Sequence, residues 1–161
     1  MKTVEINDID KMEEYISQSN FCYLALVDSE GVPYSLPMNF GYENQTIYLH
    51  SAPEGSAFDY ITAGKPVSIT FCTNADLVFQ SEKIACSYRM RAASIIARGE
   101  VEIVEDIEEK RHALDTMMQH FTKKSFEYRD PAVRNVFVFK LKASQMTCKA
   151  FGIPYRESLK M

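Results

Sequence analysis

Several features that define common protein classes are absent from this chain. It has no run of about 18 apolar residues, so no helix of the kind that spans a membrane is expected. Residues 1–8 include Glu5 and Asp8 and lack the apolar core of a secretory signal. We therefore expect a cytoplasmic protein without a membrane partner.

An excess of positive charge is also absent. The chain has 18 Lys and Arg residues against 22 Asp and Glu residues, a formal net charge of −4. Nucleic-acid binders depend on Lys and Arg that neutralise phosphates, so this balance argues against a nucleic-acid partner.

Clustered metal ligands are missing as well. The four cysteines (Cys22, Cys72, Cys86 and Cys148) include no Cys-x-x-C pair, and the three histidines are dispersed. Structural zinc requires clustered ligands, and disulfides are rare in the reducing cytoplasm. We expect free thiols and no metal site.

The apolar patterns that are present predict a mainly β chain with helices at separated places. This order does not fit a doubly wound parallel sheet and suits a closed antiparallel β-barrel with flanking helices, in one domain over residues 1–161. We expect strands at 21–27, 33–42, 46–50, 67–72, 76–79, 94–105, 135–142 and 146–151, and helices after Asn7 or Asp8, at 55–63 and at 106–121.

Local signals set several of these boundaries. Residues 28–31 predict a hairpin turn, and Pro37 must occupy a bulge or a sheet edge because it cannot donate to the ladder. Gly64 is expected to end the second helix. Asp106 should cap the third helix, with an apolar face formed by Ile107, Leu114, Met118 and Phe121.

Two segments indicate a phosphate-bearing ligand. Residues 49–55 (LHSAPEG) connect a strand to a helix, where unpaired backbone N–H groups and the helix dipole favour anions. Residues 85–91 (ACSYRMR) bring basic, aromatic and hydroxyl side chains directly before a strand. Arg89 and Arg91 would share a strand face, which suits either a phosphate contact or a solvated pair of charges.

These motifs together resemble a known family. The segments 36–43 (LPMNFGYE), 47–55 (IYLHSAPEG), 65–68 (KPVS), 85–91 and 146–149 (MTCK), with Ser94, Ile95 and Gly99, follow one another in this order. Their order and spacing are similar to those of the nitroimidazole-resistance (Nim-type) branch of the pyridoxamine 5′-phosphate oxidase-like flavoproteins. The resemblance covers about residues 21–151.

The resemblance implies an FMN-binding split β-barrel that acts as a homodimer, with FMN in a groove between the subunits. Small aromatic or nitro compounds would be the substrates. The residues that the resemblance and the two segments assign to the cofactor are Pro37, Met38, Asn39, His50, Ser51, Ala52, Gly55, Ser56, Ala57, Tyr88, Arg89, Arg91, Ser94 and Ile95.

One position departs from the family pattern. Relatives commonly carry a lysine two residues after Gly55, suited to the FMN phosphate, and this chain has Ala57 there. Phosphate binding would then depend on backbone donors, on Ser51 and Ser56, and on Arg89 or Arg91.

His50 is the candidate catalytic residue. It either ends a strand at a solvent edge or contacts cofactor or substrate, where it could donate a hydrogen bond as reduction builds negative charge. No acid–base dyad or nucleophile is apparent, as expected when a flavin supplies the chemistry. No G-x-G-x-x-G stretch indicates a nicotinamide domain, so the electron donor stays open.

Two other functions fit the same residues. The chain could hold FMN, haem or another planar cofactor without catalysis. Pyridoxamine 5′-phosphate oxidase activity is a third reading, although no second phosphate site for the substrate is visible in the motifs.

Overall fold

The structure, a computed structural model, describes residues 2–62, 64–73 and 75–153. Its chain falls into two compact units. The described part of unit 1 comprises residues 2–19, 71–96 and 146–153, and unit 2 comprises residues 20–70 and 97–145. Strands are mostly antiparallel and outnumber helices, which confirms a mainly β fold.

Unit 1 is built on strands from both ends of the chain. Its elements are β1 (Lys2–Ile6), α1 (Ile9–Ser17), β7 (Asp76–Val78), a 3₁₀ turn (Ala85–Ser87), most of β8 (Arg89–Gly99) and most of β11 (Gln145–Ile153). Strand β1 pairs with β11, and β7 pairs with β8. Asp8 caps α1 by accepting a hydrogen bond from the Asp10 backbone N–H at 3.0 Å.

Unit 2 contains two sets of paired strands and three helices. One set places β2 (Cys22–Val27) between β3 (Pro33–Met38) and β6 (Val67–Cys72). The other set has the order β4 (Gly41–Glu43), β5 (Thr46–Ser51), β10 (Phe137–Lys142) and β9 (Val101–Val104). The helices are α2 (Ser56–Thr62), α3 (Ile107–Thr122) and α4 (Asp130–Arg134).

Helix α3 packs closely on the second set of strands. Tyr48, Val104 and Val138 form a buried cluster with Ala113 and Met117 of the helix. At Gly41 an added Cβ would lie only 2.7 Å from the Met117 backbone nitrogen, so the glycine permits this close approach. The N-terminus of α3 is capped as predicted, since Asp106 accepts hydrogen bonds from the Glu108 and Glu109 N–H groups.

Other local predictions are also confirmed. The 28–31 turn closes with a hydrogen bond from the Gly31 N–H to the Asp28 carbonyl at 3.3 Å. Pro37 lies on β3, which stands at the end of its sheet beside β2, and among the described residues this edge strand has no bulge. Gly64, with φ +69°, lies just after the end of α2. Ala63, the last residue predicted for that helix, lies outside the described residues.

Several boundaries differ from the sequence prediction. The predicted strand 33–42 is interrupted at Asn39 and Phe40, and the predicted strand 94–105 begins at Arg89 and is interrupted at Glu100. Strand β1 and helix α4 were not predicted. The described strands do not pair continuously into the closed barrel that the pattern suggested, so the split form of the fold is the correct one.

The buried face of α3 differs in part, although Leu114 packs against the buried cluster as predicted. Ala113 and Met117 are its buried residues, at 0% and 3% exposure, whereas Phe121 is 42% exposed. Apolar residues form two overlapping stripes along this helix, and contact with β4 and β5 selects the stripe that includes Met117 rather than Met118.

Candidate functional site

His50 lies near the end of β5, on the side of the strand that faces α3. Because side chains alternate along a strand, His50 shares its side with the buried Tyr48 rather than with Ser51. The His50 Nδ1 atom lies 3.3 Å from the Met117 sulfur. Burial lowers the pKa of His50, so its imidazole is neutral at neutral pH.

The loop that follows β5 is open to solvent. Residues 52–56 are exposed, and Gly55 has φ +94° with no atom within 4 Å of the place where a Cβ would be. The Ser51 hydroxyl donates to the Ala52 carbonyl at 3.0 Å. We call residues 51–57 the donor loop, since it contains two serine hydroxyls and the first backbone N–H groups of α2.

The donor loop contains no cationic side chain. Ala57 occupies the first turn of α2 and is half-buried. Helix α2 has only seven residues, so its end is a weak source of positive potential by itself. The loop also carries the exposed Glu54 carboxylate, so the charge that compensates a bound anion must come from elsewhere.

The predicted residues at the end of β3 and just after it differ in exposure. Pro37 and Asn39 are exposed, and Asn39 makes no hydrogen bond with any residue in the described ranges. The Met38 side chain is 9% exposed and belongs to the core.

Beside Pro37 lies an uncharged surface that the sequence reading did not single out. Residues directly opposite each other on β2 and β3 point to the same side, and on one side all of them are exposed. This β2–β3 face consists of Tyr23, Ala25, Val27, Pro33, Ser35 and Pro37. Its signal was present in the sequence, because both alternating sets of residues in 21–27 are mostly apolar.

In unit 1, the two predicted arginines lie at the start of β8. Arg89 and Arg91 are exposed, and neither forms a salt bridge with a residue that the structure describes. They flank Met90, which pairs with Leu77 of β7, and these two side chains are 46% and 61% exposed. The arginines are thus accessible to an anionic ligand.

The remaining predicted residues of unit 1 have packing roles. The Tyr88 ring stacks on Phe79 at 4.7 Å, and its hydroxyl donates to the Glu82 carbonyl at 3.1 Å. Ile95 is completely buried. Ser94 is half-buried at a cleft of about 360 Å³ that Thr147 and Lys149 also line.

The predicted residues therefore form two groups. Ser51, Ala52, Gly55, Ser56 and Ala57 are brought together in the donor loop, with Pro37 and Asn39 exposed at the β3 edge of the same unit. Tyr88, Arg89, Arg91, Ser94 and Ile95 belong to unit 1. Met117 was not predicted from the sequence, because the spacing of apolar residues along α3 does not distinguish it from Met118.

The cysteines have the properties of structural thiols where they are buried. Burial raises the pKa of Cys22 to about 12 and also raises the pKa of Cys148. Neither supplies a thiolate nucleophile at neutral pH. Within the described residues, no group of three His, Cys, Asp or Glu side chains could hold a metal ion, and no helix is long and apolar enough to cross a membrane.

Comparison with protein families identifies the chain. A family model described as pyridoxamine 5′-phosphate oxidase matches residues 8–150, nearly the whole sequence. The chain belongs to this family. Among curated proteins, no sequence gives a significant match.

Solved structures refine the assignment within the pyridoxamine 5′-phosphate oxidase family. A candidate 5-nitroimidazole antibiotic resistance protein from Bacteroides thetaiotaomicron is 50% identical, with a TM-score of 0.83 over 92% of this chain and 87% of that chain. This similarity confirms the Nim-type branch and the split-barrel fold.

Two more distant structures show the fold alone. One is the FAD and haem binding protein from Mycobacterium smegmatis, at 16% identity and a TM-score of 0.78, over 97% of this chain and 78% of that chain. The other is the flavocytochrome Anf3 from Azotobacter vinelandii, also at 16% identity and a TM-score of 0.78, over 98% of this chain and 75% of that chain.

Proposed function

We propose that this protein is an FMN-binding oxidoreductase that reduces small aromatic or nitro compounds. The observation that carries the proposal is its 50% identity, over nearly the full length of both chains, with a protein named for 5-nitroimidazole resistance. Bound FMN would supply the redox chemistry, while the protein supplies binding and orientation.

The donor chemistry of this chain fits a phosphate monoester. In the donor loop, the Ser56 hydroxyl and the Ala57 N–H group offer hydrogen bonds to phosphate oxygens, and the Ser51 hydroxyl would have to turn away from the Ala52 carbonyl to add a third. Arg89 and Arg91 are without salt bridges among the described residues and offer guanidinium groups that pair with phosphate in a bidentate way. The donor loop of unit 2 would hold the FMN phosphate, and the two arginines of unit 1 offer a separate place for an anion.

A flat aromatic ring system packs well against apolar side chains. The β2–β3 face provides apolar and small polar side chains only, with Tyr23 47% exposed and Val27 38% exposed. Contiguous exposed apolar surface of this kind usually marks an interface. We propose that this face takes part in a homodimer and that the cofactor groove is formed with the second subunit.

His50 would act by hydrogen bonding rather than as a general acid or base. Its neutral imidazole carries one N–H, and a thioether sulfur can only accept, so a hydrogen bond to Met117 places that proton on Nδ1. Nε2 is then an acceptor, which can hold an N–H or O–H group of a bound ligand in position.

Absorbance of the purified protein tests the proposal. A flavin spectrum that bleaches with NADH or NADPH, together with turnover of a panel of nitroaromatic compounds, is the expected result. Bound flavin that no nicotinamide donor reduces, with no turnover of any nitroaromatic, would contradict the enzyme.

Haem or other planar-cofactor binding without catalysis is the second candidate, because two fold relatives are named as haem-binding proteins or flavocytochromes. The histidines of this chain argue against it. His50 contacts Met117, His112 lies 2.9 Å from a Glu43 oxygen, and the His120 ring lies 4.3 Å from Phe40. A Soret band in the purified protein would favour haem nonetheless.

A further inference from the structure

A cleft in unit 2, with a volume of about 600 Å³, lies between α2, β9 and the start of β10, and Pro53 of the donor loop also lines it. Its floor is apolar. Phe58 of α2 meets Phe137 edge to face, with ring centroids 4.7 Å apart. Ile103 of β9 also lines the cleft and keeps 42% of its surface exposed. A flat ring placed here would cover apolar surface that is otherwise in water.

The rim of this cleft is cationic, although the whole chain has a net charge of −4. Its charged residues are Lys110, Arg134 and Glu105, two cations and one anion. Lys110 donates to the Val136 carbonyl at 2.8 Å, which holds its ammonium group at the rim. The local charge balance therefore favours an anionic ligand.

Arg134 is the group that can bind such an anion directly. It is exposed and forms no salt bridge within the described part of the chain. The guanidinium of Arg111, in contrast, is held by the Tyr128 carbonyl and the Asp130 carboxylate. An unpaired arginine beside an apolar floor provides the planar fork that matches a carboxylate.

From these features we propose that the cleft binds a small aromatic carboxylate. The ring would pack on Phe58 and Phe137, and the carboxylate would pair with Arg134 while Lys110 adds positive potential. The volume lies within the roughly 300–1,000 Å³ typical of small-molecule sites. The proposal does not depend on FMN binding.

Binding of 2-naphthoate to the full chain, measured by calorimetry, tests the site. We expect 2-naphthamide, a neutral match of the same shape, to bind about tenfold more weakly, as the loss of one charge-assisted hydrogen bond implies. Arg134→Gln should weaken 2-naphthoate by about the same factor and leave 2-naphthamide unchanged.

Arg129→Gln is the matched control, because it removes the same charge at the other end of α4. It should leave the affinity for 2-naphthoate unchanged. The proposal is overturned if acid and amide bind equally, if both arginine variants have the same effect, or if wild-type protein binds neither compound. Displacement of 2-naphthoate by FMN would also overturn it, since the cleft would then be part of the flavin site.

Discussion

Replacement of Ala57 by lysine tests where the phosphate of FMN binds. Ala57 is half-buried in the first turn of α2, in a donor loop that contains no cation. A lysine there could form a charge-assisted contact with a phosphate, worth about 1.5–3 kcal/mol when it is partly shielded from water. Each 1.4 kcal/mol is about tenfold in affinity, so FMN should bind roughly ten- to a hundredfold more tightly.

The assay is a titration of flavin-free protein with FMN and with riboflavin. Only FMN carries the phosphate, so Ala57→Lys should improve FMN binding and leave riboflavin binding unchanged. Ala57→Met adds similar length without charge and should improve neither. Equal gains for both ligands, or no gain for FMN, would show that the phosphate lies elsewhere.

Three further outcomes follow from the structure. Burial lowers the pKa of His50 in the folded protein, so the unfolded state binds the His50 proton more tightly. The free energy of unfolding of the wild type should therefore fall as the pH drops through about 6.5, the ordinary histidine pKa. Urea unfolding should show a smaller fall for His50→Gln. Equal falls would contradict this. Gly41→Ala should lower the free energy of unfolding by about 1–3 kcal/mol, because its Cβ would overlap the backbone of α3; an unchanged melting curve would refute the packing. Ala25→Arg places a charge on the β2–β3 face and should give monomers in sedimentation. Phe126→Arg, at an exposed position outside that face, should leave the dimer intact. Dimers in both variants would show that the interface lies elsewhere.

The parts of the fold that could be predicted are those that short stretches of sequence determine. Asp8 and Asp106 cap their helices through their own side chains, and strand β6 begins and ends where its β-branched run does. Strand β1 was missed because its five residues include two charges and it is stabilised by pairing with β11, from the other end of the chain. Helix α4 was missed although Pro131, in its first turn, is a known start signal.

In the candidate site too, the parts that local sequence determines could be predicted, and the parts that depend on distant segments could not. The strand, loop and helix around Gly55 follow from local turn chemistry, so the donor loop was found. The side of β5 on which His50 lies depends on α3, which follows it by more than fifty residues in sequence. The β2–β3 face, by contrast, could have been read from the alternation alone. Contacts between distant segments account for what the sequence did not show.

The distribution of reactive groups explains what kind of defect single substitutions should cause. The buried thiols Cys22 and Cys148 have raised pKa values, and each of the three histidines contacts another side chain. If a flavin supplies the chemistry, the donor loop determines how much cofactor is bound rather than how fast bound cofactor reacts. Ser51→Ala or Ser56→Ala should therefore reduce flavin content, while activity per bound flavin, measured from absorbance and nitroaromatic turnover together, stays the same. A variant with full flavin content and slow turnover would instead place these hydroxyls at the reacting atoms.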